Sequence, residues 1–404
     1  MRHHITNIRG LEVGTGSPVS VMGALNLSPE SFYSGSVVTS SDQIAESVRG
    51  MEQEGADIID VGAASTAPRT IYGTAEVGVE EELGRIRESL GLIIESTRLP
   101  ISIDTTSSSV AETALDTGAS LVNDTSGLRA DDRMAKLVVD RAVPLVIMAN
   151  CGGPCLSVEA ALDSITTSIK TAMNAGVDPS RIIVDPGIGF GKPTETDCAI
   201  LRNLGLFSLL GHPLLVGVSR KAFIGGLLGL PDPAMRLTGT IAATSVAVVN
   251  GANIIRAHDV RETCEAVKIG EALRKSLSAE RNDVELLGLC NEREAELVIG
   301  QLGAGPDIAK HLANKAVTLN FLVRNAQTPA ALILKQEMLA LGGDAAYHHD
   351  VIDRGIDCTD VLVMGTRLQL NKLVKRIVTI RDFGLAGIGS TIRDLMAEHM
   401  AGFG

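Results

Sequence analysis

The sequence predicts an α/β chain in which eight strand-then-helix units close into a TIM-type (β/α)8 barrel over residues 1–280. A smaller α/β or α+β domain follows over 281–404. Three observations predict this. Eight short aliphatic runs recur in the first part of the chain, each followed by a polar or glycine-rich turn and a longer stretch with helical apolar spacing. The runs are near-continuous in Val, Ile and Leu instead of alternating, as a parallel strand covered on both faces requires. Glycine is abundant, at 42 residues, while aromatics make up only 2%, which suits short strands and tight loops better than a β-sandwich.

In chain order the runs are VSVMGALN (19–26), ADIIDVGA (56–63), PISIDT (100–105), SLVNDTS (120–126), PLVIMAN (144–150), RIIVDPGIGF (181–190), PLLVGVS (213–219) and NIIRAHD (253–259). Between them EEELGRIRESLGLIIEST (80–97), SVEAALDSITTSIKTAMNAG (157–176) and TGTIAATSVAVVNG (238–251) read as helices. Eight such units are the count of a closed barrel. An open doubly wound sheet would more often have fewer strands and a G-x-G-x-x-G turn after the first, where this chain has NLSPESF. After SLSAERNDVE (276–285) the composition changes, and NEREAELVIGQL, TLNFLVRN, PAALILKQEMLALGGDAAY, DVLVMGT and QLNKLVKRIV alternate helix and strand.

A net charge of −12 without any Lys/Arg run argues against a nucleic-acid partner. No apolar stretch reaches the roughly 18 to 20 residues of a membrane span, and MRHHITNIRG has no apolar signal core, its His3-His4 pair reading as part of an unstructured terminus. A cytosolic protein with no membrane partner is expected. The six cysteines are expected as reduced thiols, with Cys151 and Cys155 incidental neighbours in one loop. His348, His349 and Asp350 read as a polar turn.

Polar chemistry collects at one end of the runs. Asn26, Asp104, Asn123, Asp185, Ser219, Arg256 and His258 all stand at or just after a strand's C-terminal edge, the active face of a barrel. One such residue is a turn former; seven at one end of seven strands suggest a site. The loop DPGIGFGKPTET carries Gly187, Gly189 and Gly191 before Lys192, which permits close backbone approach. Ser219, Arg220 and Lys221 suit an anion or an aromatic ligand, or a solvated loop. Asp104, Asn123 and Asp185 offer acceptors to a flat heterocycle rich in N–H groups, and Arg256 and His258 offer donors to a phosphate or pyrophosphate. A ligand with a polar ring and an anionic tail follows.

At this point a family resemblance enters. VMGALNLSPESF resembles the dihydropteroate synthase opening M-G-x-L-N-x-T-P-D-S-F, and ISIDT, VND, DPGIGFGK, SRKAFIG and RAHDV follow in that family's order, spanning most of residues 18–276. The resemblance implies a (β/α)8 barrel whose pterin pocket uses Asp104, Asn123, Asp185 and Lys221, with Met148 and Phe190 lining the ring and Arg256 packing against it. It implies that Asn26 binds Mg²⁺ beside the pyrophosphate, that Arg256 and His258 hold that anion, and that a loop with Thr66 and Pro68 encloses an arylamine. The implied reaction expels pyrophosphate from the pterin methylene, which the amine then attacks. Asp185, Lys221, Asp104 and Arg256 are the expected catalytic residues, Ser219 lines the substrate site, and a homodimer is expected.

The chain also departs from the family pattern. The second loop, commonly G-G-E-S-T-R-P-G, reads Gly62-Ala63-Ala64-Ser65-Thr66-Ala67-Pro68-Arg69; the first has Tyr33-Ser34-Gly35-Ser36 where S-D-G-G is usual; and Ala149 follows Met148 where His is frequent. These changes leave open a variant amine, such as a ribosylated aminobenzene phosphate, or reduced activity. A pterin-dependent methyltransferase and a non-catalytic pterin-binding protein are the rival readings.

Overall fold

The computed structural model describes residues 4–28, 40–64, 77–274, 279–281, 284–286, 289, 291–353 and 355–401. The chain divides into two compact units, Arg2–Lys275 and Ser276–Gly404.

The first unit opens with an antiparallel hairpin of β1 (Thr6–Ile8) and β2 (Leu11–Val13). Eight parallel strands follow: β3 (Ser20–Asn26), β4 (Ile58–Gly62), β5 (Ile101–Asp104), β6 (Leu121–Asp124), β7 (Leu145–Met148), β8 (Ile182–Asp185), β9 (Leu215–Gly217) and β10 (Ile254–Ala257). Strands β3 to β8 pair in sequence order, β10 returns beside β3, and β9 lies next to β10. A parallel bridge between Val184 and Leu214 joins β8 to the start of β9 and closes the barrel. Every residue of β4 to β9 is buried, which is why their sequences run aliphatic without alternating.

The hairpin plugs one end. Ile8 and Val13 pack with Met22, Ile58, Leu121, Val146, Ile183, Leu215 and Ile254, all from the N-terminal halves of strands. The sequence reading of this terminus as unstructured is therefore corrected from His4 onward. His4 donates its backbone N–H to Gly211 and stacks on His212. Strands of three residues are too short to show a period, so the signal was missing.

Helices return the chain between strands. Ser41–Glu54 starts with a reciprocal Ser40 and Gln43 capping box and ends at Gly55 in the left-handed region. The run that reads as 181–190 yields a strand only to Asp185, because Pro186 and the positive φ of Gly187 end it.

In the second unit β11 (Ala279–Arg281) and β12 (Val284–Leu286) form a short hairpin. A three-stranded antiparallel sheet then takes the order β13 (Thr318–Gln327), β15 (Cys358–Thr366), β14 (Asp344–Tyr347). One face packs on helices Thr328–Ala340 and Arg367–Ile377 through Leu334, Met338, Val361, Val363, Leu370 and Leu373. Antiparallel pairing makes this unit α+β, one of the two classes the sequence allowed. His348, His349 and Asp350 stand at a short helical turn, the two histidines exposed and Asp350 half-buried, with His349 Nε2 2.9 Å from Asp350.

Candidate active site

Register builds the site. Asn26 is level with Gly62, Gly62 with Asp104, and Asp104 with Asn123, so these residues form one row across four strands at their C-terminal ends. Asp185 closes β8 level with Met148 of β7. Gly217 on β9 lies beside both the Arg256 side chain and Lys221 Nζ. Among the residues expected from sequence, the structure thus brings together Asn26, Asp104, Asn123, Met148, Asp185, Lys221 and Arg256 at one barrel face.

Arg256 is the organising cation. Its Nε donates to Asp60 at 2.5 Å and its Nη2 to Asp104 at 3.0 Å, and both carboxylates keep it charged despite burial. Asp60 is fully buried on β4 and also accepts from Asn123 Nδ2 at 3.3 Å. Sequence reasoning missed Asp60. Its signal was there: an aspartate inside the aliphatic run ADIIDVGA is costly in a doubly covered strand unless it is paired.

The loop after β8 is clasped from three sides. Asp185 accepts the Gly187 N–H at 2.7 Å, buried Asp197 accepts the Gly189 N–H at 2.8 Å, and the Lys192 ammonium donates to the carbonyls of Gly187 and Ala149. Lys221 lies over this loop, donating to the Ile188 carbonyl with its ammonium 4.5 Å from the Phe190 ring centroid. Gly187 and Gly189 have φ of +68° and +78°, and a Cβ on Gly189 would lie 2.5 Å from Lys221 Cδ. Only glycine allows both the turn and the approach.

Burial sets the titration of these groups. It pushes the Asp185 carboxyl up against the pull of Lys221, the Gly187 amide, Lys192 and Arg256. It lowers Lys221 to about 8 and Lys192 to about 8, with Asp185 and Asp197 opposing in both cases, and raises Asp197 to about 6. His258 is lowered to about 3 by burial and by Arg256, Arg220 and Lys221, so it acts as a neutral imidazole. Its Nδ1 pairs with Ser219 Oγ at 2.9 Å.

Two expectations change. Arg220 is not an anion donor: it is buried, pairs bidentately with Asp259 at 2.7 and 2.9 Å, and donates to the Pro233 and Ala234 carbonyls. It locks the loop after β9 so that Lys221 is free to point inward. Cys151 and Cys155 are not separate thiols; they form a disulfide across the loop after β7, with Cα atoms 5.6 Å apart. Thr66 and Pro68 lie outside the described residues, as do Ala67, Arg69 and the Tyr33–Ser36 segment. Of the second loop, Ala63 is held by Arg85 Nη1, which donates to its carbonyl at 2.8 Å.

Residues 22–258 match the family model described as "Pterin binding enzyme". The chain is 38% identical over 255 residues to a dihydropteroate synthase of Bacillus subtilis, covering 63% of this chain and 88% of that one. It is 36% identical to the Escherichia coli dihydropteroate synthase, over 65% and 93% of the two chains. Among solved structures, a Xanthomonas albilineans dihydropteroate synthase with 4-aminobenzoic acid superposes with a TM-score of 0.61 at 34% identity, covering 67% of this chain and 98% of that one. A Coxiella burnetii dihydropteroate synthase in complex with pteroic acid gives 0.59 at 32%, with the same coverage.

Proposed function

The chain belongs to the pterin-binding enzyme family, and from that premise we propose that it is a transferase with the dihydropteroate synthase activity of folate biosynthesis. It joins 6-hydroxymethyl-7,8-dihydropterin pyrophosphate to p-aminobenzoate and releases pyrophosphate. The observation that carries this reading is the convergence of Asp104, Asn123, Asp185, Lys221 and Arg256 on one barrel face.

The chemistry follows from the groups present. Asp185, Asn123 and Asp104 offer acceptors to the N–H edge of a pterin in a dry setting, and each ligand N–H donated to Asp185 favours its ionised form. Lys221 is a donor for a ring carbonyl. As the bond between the pterin methylene and pyrophosphate breaks, the electron pair leaves with the phosphate and positive charge develops on the pterin. The buried carboxylates oppose that charge. The amine nitrogen then attacks the methylene and loses a proton, so no side-chain nucleophile is needed. Arg256 and neutral His258 are the donors for the departing anion.

Mg²⁺ fits the donors at the head of this row. A Cβ placed on Gly62 would lie 3.8 Å from Asn26 Oδ1, a hard amide oxygen, and 3.9 Å from Asp104 Oδ2, which is engaged by Arg256 Nη2, so Asn26 is the protein oxygen offered to the ion. A site with one or two protein oxygens, completed by phosphate and water, suits this ion. Asn26 would hold it, and its charge would ease departure of the pyrophosphate.

A homodimer is supported by exposed apolar side chains on two barrel helices that pack together. Val246 and Val249 of Leu237–Val249 and Ile269 and Leu273 of Val260–Leu273 are exposed, which an obligate monomer would have reason to avoid. Among the described residues no helix is long and apolar enough to cross a membrane.

The test is pyrophosphate release from the pterin pyrophosphate with Mg²⁺ and p-aminobenzoate, its ribosylated phosphate analogue, or no amine. Release dependent on p-aminobenzoate is the expected result. Dependence on the analogue alone would make Ala64, Ala67 and Arg69 determinants of a different amine. Pterin binding without release under either condition would favour a non-catalytic binding protein or a methyltransferase.

A further inference from the structure

We propose that Asp197 is a positioning residue of the pterin site: it seats the glycine turn on which Lys221 lies and supplies that lysine's second counter-charge. This rests on the pterin-site reading above. Four geometric facts lead to it. Asp197 belongs to the helix Thr194–Arg202, behind the loop, yet it is 2% exposed and accepts the Gly189 N–H at 2.8 Å. Asp185 accepts the Gly187 N–H two residues earlier, so the two aspartates hold alternate amides of one turn. The Ile188 carbonyl between those amides is the acceptor for Lys221. The Lys221 stem also crosses Gly189 at a distance that excludes any side chain there.

The charges close into a set. Lys221 and Lys192 each feel both Asp185 and Asp197, so two ammonium groups are balanced by two carboxylates in a buried volume. Asp185 faces the ligand and Asp197 does not. A pterin that donates to Asp185 keeps that carboxylate ionised, and Asp197 adds from behind the loop the second negative charge that holds Lys221 protonated and in place. The groups that act on Asp197 are Lys221 and Lys192 across the loop; Asp185 acts on the same two lysines, Arg256 lowers Lys221, and Cys198 lies next to Asp197 on the helix. Removing the Asp197 charge takes away a stabiliser of the Lys221 ammonium, so Lys221 loses its proton at a lower pH.

The experiment is equilibrium binding of 6-hydroxymethylpterin, followed by its fluorescence across the pH range, for the wild type, Asp197→Asn and Asp197→Ala, each checked for folding by circular dichroism. Asp197→Ala loses the hydrogen bond and the charge and is expected to weaken binding about tenfold or more. Asp197→Asn can still accept from Gly189, so the turn persists, but its alkaline limit of binding is expected to fall by about one pH unit. A merely structural role would not move that limit. If Asp197→Ala does not fold, the asparagine variant decides alone. Variants that match the wild type at every pH overturn the proposal while leaving the pterin reading intact. A wild type that binds no pterin overturns both.

Discussion

Strand β8 of the barrel and strand β15 of the second unit are both rich in Val, Leu or Ile, but they bury them differently. All four residues of Ile182–Asp185 are buried, whereas Cys358–Thr366 alternates, with Thr359, Val361 and Val363 buried and Cys358, Asp360 and Leu362 exposed. In the first setting a charged residue must be paired or it destabilises the fold, and Asp60, Asp104 and Asp185 each stand with a partner: Arg256 for the first two, the Gly187 N–H for the third. In the second, Asp360 is exposed, stands 3.5 Å from exposed Arg324 and accepts the Asn325 N–H at 2.9 Å, so its charge stays solvated and is not stranded. The same residue type therefore carries different information in the two units.

The strongest way to break this contrast is to unpair a barrel carboxylate. Arg256→Met keeps roughly the length of the side chain but leaves fully buried Asp60 and nearly buried Asp104 without their shared cation. Stranding a buried charge costs about 3–5 kcal/mol, so the urea midpoint is expected to drop sharply and turnover by about a hundredfold or more. Arg324→Met in the second unit is the control and is expected to change stability by less than about 0.5 kcal/mol. Equal effects for the two arginines would contradict the account.

Gly189→Ala ranks next. A methyl group there meets Lys221 Cδ and forces a residue with a side chain into φ of +78°. Strain of about 1–3 kcal/mol is expected, and because the displaced group is Lys221, pterin affinity is expected to fall more than the melting temperature suggests. Exposed Gly384, with φ of +74° and an open Cβ direction, carries the backbone cost alone.

How much was legible in the sequence follows from the same physics. All eight barrel strands and the polar row at their ends could be read, because double burial removes alternation and leaves each polar residue conspicuous. The hairpin of Thr6–Val13 could not, since three-residue strands carry no period. Asp60 was passed over because it stands inside a run, not at its edge, and Asp197 because ETDCAIL reads as an ordinary acidic first turn of a helix. Adjacency to Lys221 says nothing of direction, so the sequence leaves Arg220 open between a ligand group and a loop residue, and only its pairing with Asp259 decides it. The disulfide of Cys151 and Cys155 was dismissed on count and compartment, which do not bear on loop geometry.

A pH experiment sharpens the electrostatic side. His258 is held neutral, with its pKa lowered to about 3 from the ordinary 6.5. Between those values the unfolded chain binds a proton that the folded chain refuses, so stability rises with pH through this window and is lost as pH falls below about 6.5. His258→Asn removes that dependence. Urea midpoints from pH 4 to 7 are expected to slope more steeply for the wild type than for the variant.

The smallest expected effect tests the comparison within one strand. Leu362 and Val363 are consecutive in β15, but Leu362 is 37% exposed on the open face while Val363 is fully buried against the helices. If burial and not residue type sets the cost, Val363→Ala destabilises the second unit by about 1.5–3 kcal/mol. Leu362→Thr removes a larger apolar group, yet it loses little burial and gains a residue that favours strands, so its cost is expected to stay below about 0.5 kcal/mol. A cost for Leu362→Thr as large as that for Val363→Ala would mean that the open face is covered in solution. The two-sided burial seen in the barrel would then extend to this sheet, and Asp360 would need the same scrutiny as Asp60.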